Sequence, residues 1–363
     1  MLTTIAKRVL TSVITLFVCS VLIFGYRYLI PGGPAADLAN LDQLSQSMTR
    51  AQAAHEIQVL SIRFGLNKPI YVQYWDWLDG VVHGRLGTSF FSQVPVTTVI
   101  AQRMAPSFEL ILGAMVVSLL VGVPLGMYTA IRRERPLGRT LLSLSGLQIS
   151  VPDFWLATIN AAVFGLVLHW FPAVGFVPLS AGLGANLHTM ILPILTLAIV
   201  PTAFVIRHLN NSMAQVLRSP YVRTCWAMGL PSRQVYFNCA LRNALGPIIT
   251  LIPLLVASLL GGTVLIEYIF NIPGLGTAIV TAVENQDYPM TQGLVLLAGV
   301  VVAVFNLLAD LTISVIDPRV RKGTARISDV GWRLGARRPQ PAGGLAAAVP
   351  EIQEPAGVRE DVA

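Results

Sequence analysis

Six runs of apolar residues organise the chain, at 9–30, 107–131, 141–169, 188–209, 248–270 and 293–316. A helix needs about 20 apolar residues to cross a hydrocarbon core of ~30 Å, and each run supplies that. Between them lie polar or Gly/Pro-bearing connections. Residues 35–105 are the exception, a long mixed segment with room for helical pieces near 41–64 and 70–82. The pattern predicts an all-α polytopic membrane protein with six transmembrane helices. For the first run the rival is a cleaved signal peptide. That run is longer than a typical h-region and no small-residue cleavage site follows it, which favours a retained helix. Pro152 falls inside the third run and predicts a break or kink there. Gly261 and Gly262 in the fifth allow close helix approach.

Composition agrees. The chain has 363 residues, 54% hydrophobic and 12% charged, with a mean hydropathy of +0.66, where soluble chains carry about 25% charged residues. A net charge of +7 raises nucleic acid as a partner, but its placement argues for a lipid membrane and no nucleic acid. Of the 25 Lys and Arg, 19 fall before the first run, after the second, from Arg207 near the end of the fourth to the start of the fifth, or after the sixth. Arg132, Arg133, Arg135 and Arg139 form the densest group. The positive-inside rule then puts both termini in the cytoplasm. The expected division is 1–105, a first helix plus a large extracytoplasmic segment; 106–322, a transmembrane core with a cytoplasmic loop at 212–246; and 323–363, a tail whose Ala/Gly/Pro/Arg composition reads as disordered.

Candidate chemistry is sparse. No GxxxxGK[ST] run occurs, so the chain has no phosphate-cradling loop of its own. His169, His188 and His208 are scattered near span ends, where packing is the simpler role than metal binding. Cys19, Cys225 and Cys239 form no CxxC pair and read as free thiols. No enzyme, cofactor or metal site is expected. The aromatics Tyr71, Tyr74, Trp75 and Trp77 suit a membrane interface or a partner. Charges in or near spans are costly and usually purposeful: Asp153, Arg207, Glu267 and Asp310. For Arg207 and Asp310, reach to water from a span end is the simpler reading. Asp153 beside Pro152 is a candidate for lining a translocation path. Glu267 is a candidate for supporting an outer gate.

The cytoplasmic stretch 221–247 has its own grammar. Gly229 suits a left-handed helix stop, Leu230 its apolar contact, and Pro231 bars continuation. Ser232 is the expected N-cap of a second helix, in which Val235, Tyr236, Cys239 and Ala240 make one apolar face. Arg218, Arg223, Arg233 and Arg242 add charge, and no Asp or Glu lies between Arg207 and Glu267.

This stretch resembles the EAA loop of ABC importer permeases. Arg223-Thr224-Cys225 stands where Glu-Ala-Ala would be, Gly229 at the fixed Gly, and Cys239-Ala240-Leu241-Arg242 at the second block. The local form YVRT…ALRNAL is similar to that of the dipeptide/oligopeptide/nickel permease family. So are Val151 to Leu156 (VPDFWL) and the series Glu267, Phe270, Pro273, Gly274, Leu275, Gly276. The resemblance runs from about residue 7 to 321. It implies a type I ABC importer permease fold in a bacterial inner membrane. It also implies a second homologous permease, two ABC ATPase subunits carrying ATP and Mg, and an extracytoplasmic solute-binding protein. Coupling would fall to Arg223, Thr224, Cys225, Gly229, Leu230, Leu241, Arg242 and Asn243. The path or outer gate would fall to Pro152, Asp153, Glu267, Pro273, Gly274 and Gly276. Peptide is the expected cargo, with nickel or another small solute as the alternative. An ion-driven secondary transporter and a non-transporting scaffold or receptor are the rival classes.

Overall fold

The structure is a computed structural model that describes residues 2–29 and 67–316. The helices are α1 (Leu2–Leu29), α2 (Ile70–Val82), α3 (Val96–Ile131), α4 (Pro136–Ser150) and α5 (Asp153–Asn160, running on as the π-helical Ala161–Val167). After a short 3-10 turn come α6 (Leu183–Leu217), α7 (Pro220–Ala227) and α8 (residues 232–244, π-helical over Val235–Leu241). The chain then forms α9 (Gly246–Phe270), α10 (Leu275–Glu284) and α11 (Tyr288–Ile316). The helical piece expected at 41–64, the tail from 323 and the side chain of Asp310 lie outside the described residues.

Five helices, α1, α3, α6, α9 and α11, are long and apolar enough to cross a bilayer. α4 and α5 pass the same test together, bent by 103° at their junction, and make a sixth span when the pair is counted as one. The cause is local. Pro152 disfavours helix at the residue before it, and Val151 is extended at ψ 130°, as is Pro152 itself at 136°. The helix therefore stops at Ser150 and restarts at Asp153.

Helix ends depart from the apolar runs in one direction. α3 starts at Val96 rather than 107, and α6 extends to Leu217 rather than 209. The apolar run measures the lipid-facing length, whereas the backbone ladder continues into water wherever tertiary contacts hold it. α10 is a further correction, a helix where the sequence predicted only an external turn. Ser232 is another: Pro231 takes the N-cap place and Ser232 is already helical, with no capping bond.

α3 and α6 form the central pair. A Cβ on Gly122 would come within 2.8 Å of the Val205 side chain, and one on Gly126 within 3.0 Å of Leu209. Hydrogen there lets the two backbones approach, as small residues do between membrane helices. Further in, Asn210 Nδ2 donates to Thr129 Oγ1 at 3.0 Å across the same pair. Around it, Leu110, Met190, Leu197, Leu259, Ile266 and Phe270 form the outer core, where α9 packs against α3 and α6. Leu209, Met213, Ala240, Ala244 and Ile248 form the inner core, where α8 joins. α2 lies on α1, with Tyr74 edge-on and Trp77 tilted against Phe24 at centroid distances of 5.4 and 5.7 Å. Tyr74 also meets Ser20 through its hydroxyl at 2.9 Å. Of the four aromatics marked in that segment, Tyr71 and Trp75 stay exposed.

Candidate coupling surface, outer turn and span break

α7 and α8 form a stapled pair at the inner end. Ser219 caps α7, its hydroxyl accepting the Val222 N–H at 3.4 Å. At the other end Gly229 is left-handed, with φ +75°. Its N–H donates to Trp226 O at 3.0 Å, and the Leu230 N–H donates to Cys225 O at 3.4 Å. Those two bonds make a Schellman stop, and Leu230 supplies its apolar contact by packing on Val222, Cys225, Val235 and Cys239.

The eight residues expected to couple divide in two. Cys225 is buried and Leu230 and Leu241 are half-buried, holding the pair together; Arg223, Thr224, Gly229, Arg242 and Asn243 are exposed. Cys225 Sγ donates to Cys239 Sγ at 2.9 Å, and both remain free thiols. That hydrogen bond, with burial, pushes the Cys225 thiol above its ordinary range. Asn243, though exposed, is tied to its own helix, Nδ2 donating to Cys239 O at 3.1 Å. Ser212 Oγ on α6 donates to Ala244 O at 2.9 Å, tying α8 to a span. Four further side chains of the pair are exposed, Tyr221, Trp226, Met228 and Phe237.

The outer turn is built the other way, around a buried charge. α9 ends on Asn271, left-handed at φ 53°. The Ile272 N–H donates to Glu267 O at 2.8 Å and the Asn271 N–H to Tyr268 O at 3.4 Å, a second Schellman stop. The chain thereby folds α10 back onto the Glu267 side chain, which is fully buried. Its carboxylate accepts Ser107 Oγ at 2.5 Å and the Thr277 N–H at 3.0 Å. Ser107 in turn accepts the Leu275 N–H at 2.7 Å. Between them, α9 and α3 cap the N-terminus of α10, where a carboxylate is favoured. Gly274 and Gly276 are there because of that carboxylate: a Cβ on Gly276 would lie 2.5 Å from Val264 Cα and 2.8 Å from Glu267 Oε2. Of the predicted group, Glu267, Gly274 and Gly276 come together. Pro273 stays exposed on the turn. Ser107 was missed, since a serine at the edge of an apolar run carries no signal.

Pro152 and Asp153 sit apart from that turn, at the break between α4 and α5. Asp153 is half-buried. It lies beside α9, where a Cβ on Gly262 would lie 3.5 Å from Asp153 Oδ2. Arg207 is directed elsewhere, its Nη1 against Gly146 of α4.

Residues 122–322 match the family described as binding-protein-dependent transport system inner membrane component, and residues 1–112 match its N-terminal region. The chain belongs to this family. A probable peptide ABC transporter permease of Sinorhizobium fredii is 35% identical over 319 residues, spanning 87% of this chain and 98% of that protein. A glutathione transport system permease of Escherichia coli is 34% identical, spanning 88% and 99%. In fold the chain is similar to a subunit of the MetNI methionine ABC transporter, solved inward-facing. The TM-score is 0.51 at 14% identity, over 60% of this chain and 96% of that one. The fold is that of a type I importer permease, and the protein is a multi-pass component of the inner membrane. Membership sets aside the ion-driven transporter and the inert scaffold.

Proposed function

We propose that the chain is the permease subunit of an ATP-driven importer of peptides, and that the α7–α8 pair is its coupling surface. The observation that carries this is the pair's construction. Its buried residues and Gly229 stop make it rigid, while Arg223, Thr224, Arg242, Tyr221, Trp226 and Phe237 are left exposed on it. Aromatic and Arg side chains are the ones that anchor protein interfaces. The pair is also mechanically connected. The inner core and the Ser212–Ala244 bond attach α8 to α6, and α8 leads directly into α9.

In this reading two ABC ATPases hold the pair, with ATP and Mg bound on them and no cofactor on this chain. A second, homologous permease completes the path, and an extracytoplasmic binding protein delivers cargo to the outer mouth. When the ATPases close on ATP they carry α7 and α8 together. α6 and α9 follow, and the population shifts to an outward-open state. Glu267, holding α10 to α3 and α9, keeps the outer gate a single unit during that motion. Peptide as cargo is supported by the peptide and glutathione permeases among its relatives; uptake of radiolabelled peptide against nickel separates the two cargoes.

The test is a pull-down of tagged protein in mild detergent, wild type beside Gly229→Pro, with an ATPase assay. Recovery of two ATPases and a sister permease with wild type, weakened by the substitution, is expected. A chain that recovers no ATPase in either form would overturn the coupling surface.

A further inference from the structure

The break in the third span leaves one charge unmatched. Asp153 is half-buried beside Gly262 of α9. By helix rise, Gly262 lies about 12 Å from the outer end of α9 and about 24 Å from the inner end. That is membrane depth. Among the described residues no hydrogen bond or ion pair to the Asp153 side chain is found, while the ion pairs that do occur are all on exposed ends and loops. Arg207 Nη1 lies against Gly146 of α4.

An ionised carboxylate at such depth costs several kcal/mol unless something compensates it. Part of the compensation is built in, because Asp153 opens the first turn of α5, where the helix dipole favours negative charge. One further polar group lies on the same face of α5. Asn160 lies two turns along the same face and donates to Thr196 Oγ1 of α6 at 3.1 Å, with the buried Ala157 between them. Gly262 contributes room, since a Cβ there would crowd Leu197 Cδ1 at 3.0 Å and already stand 3.5 Å from Asp153 Oδ2. The site is therefore a carboxylate kept available, held by a helix start and left without a resident counter-charge.

We infer that the Asp153 carboxylate is the contact, part-way across the membrane, for a protonated amine of the cargo. This rests on the permease reading above and names what the path recognises. A peptide with a free amino terminus carries such a group at neutral pH, and an ammonium–carboxylate hydrogen bond is among the stronger polar contacts available. A single contact on one wall is also weak enough to release, as transit requires. The rival occupant is a fixed basic side chain of the sister permease, which would make Asp153 a structural ion pair.

The experiment uses the complete importer in proteoliposomes, with trialanine and N-acetyl-trialanine as probes. Asp153→Asn keeps the shape and removes the charge; ATP hydrolysis by the assembled complex checks its integrity. The expected result is a KM for trialanine raised about tenfold, the loss of ~1.4 kcal/mol of binding, with the acetylated peptide unaffected and Asp153→Glu restoring part of the loss. A second measurement follows modification of Asp153→Cys by a cationic methanethiosulfonate, which trialanine should slow and N-acetyl-trialanine should not. Equal losses for both peptides, or a complex that falls apart on Asp153→Asn, would overturn the contact in favour of the structural pair. If wild type imports neither peptide, the cargo reading fails and this contact fails with it. If it imports only trialanine, the labelling experiment decides.

Discussion

The two ends of the bundle stop a helix in the same way and use the stop for opposite purposes. At the inner end Gly229 is left-handed and the Schellman bonds release a short helix pair whose outward side chains have few partners. At the outer end Asn271 is left-handed and the same bonds turn α10 back onto Glu267, which has no exposure at all. What differs is where the polar groups go. Inside, the charges face water and await contact. Outside, the carboxylate is consumed by Ser107, Thr277 and the N-terminus of α10. In the proposed reading, a surface to be grasped needs a rigid back and a free face, and a gate that moves as one piece needs its polar groups satisfied internally.

The comparison can be broken hardest at the outer end. Glu267→Ala should orphan the Ser107 hydroxyl and the Thr277 N–H and open a buried void. A destabilisation of about 3 kcal/mol is expected, read as a fall in thermal midpoint in detergent, with α10 becoming protease-sensitive. A midpoint unchanged from wild type would show that the cap contributes nothing. Gly276→Ala comes next. Its Cβ meets the backbone of α9 and not a flexible tip, so ~1–3 kcal/mol is expected from overpacking.

At the inner end the effects on stability are smaller and those on coupling larger. Gly229 has open space around it, so Gly229→Val is penalised only for φ, by about 1–2 kcal/mol. Stimulated ATPase activity and uptake should fall while insertion is retained. Gly229→Asn, which tolerates the left-handed region, should recover most of the activity; the reciprocal Asn271→Gly should be nearly silent. If Gly229→Asn is as damaging as Gly229→Val, the position matters for something other than backbone conformation. The smallest effect concerns Cys225. Its thiol is raised by the Cys239 sulfur and by burial, so less thiolate is present at neutral pH and alkylation should be slow, accelerating only well above pH 8. Fast labelling at pH 7 would mean that the α7–α8 interface opens readily.

Much of this was legible beforehand. The six spans follow from hydropathy because a lipid-crossing backbone must satisfy its own hydrogen bonds, which leaves helices as the answer. Pro152 announced the break because its chemistry is local. Gly229, Leu230 and Pro231 announced the inner stop for the same reason, and Val235, Tyr236, Cys239 and Ala240 do form the inward face. Ser232 was misplaced by a single residue, since proline itself can occupy the cap position. The outer turn was legible as a motif and illegible as an arrangement. Ser107 lies far from Glu267 in the chain, and no periodicity connects them.

The sequence by itself therefore determined the membrane class and the places where the backbone must stop. These depend on neighbours in the chain, on the transfer of side chains to lipid and on the φ preferences of Gly and Pro. Only the tertiary structure decided which polar groups meet. It buried Glu267 against Ser107 and α10, left Asp153 without a partner beside Gly262, and left Trp226 and Phe237 exposed. Those outcomes depend on how helices distant in sequence approach one another, and on which residues, such as Gly122, Gly126 and Gly276, are small enough to let them.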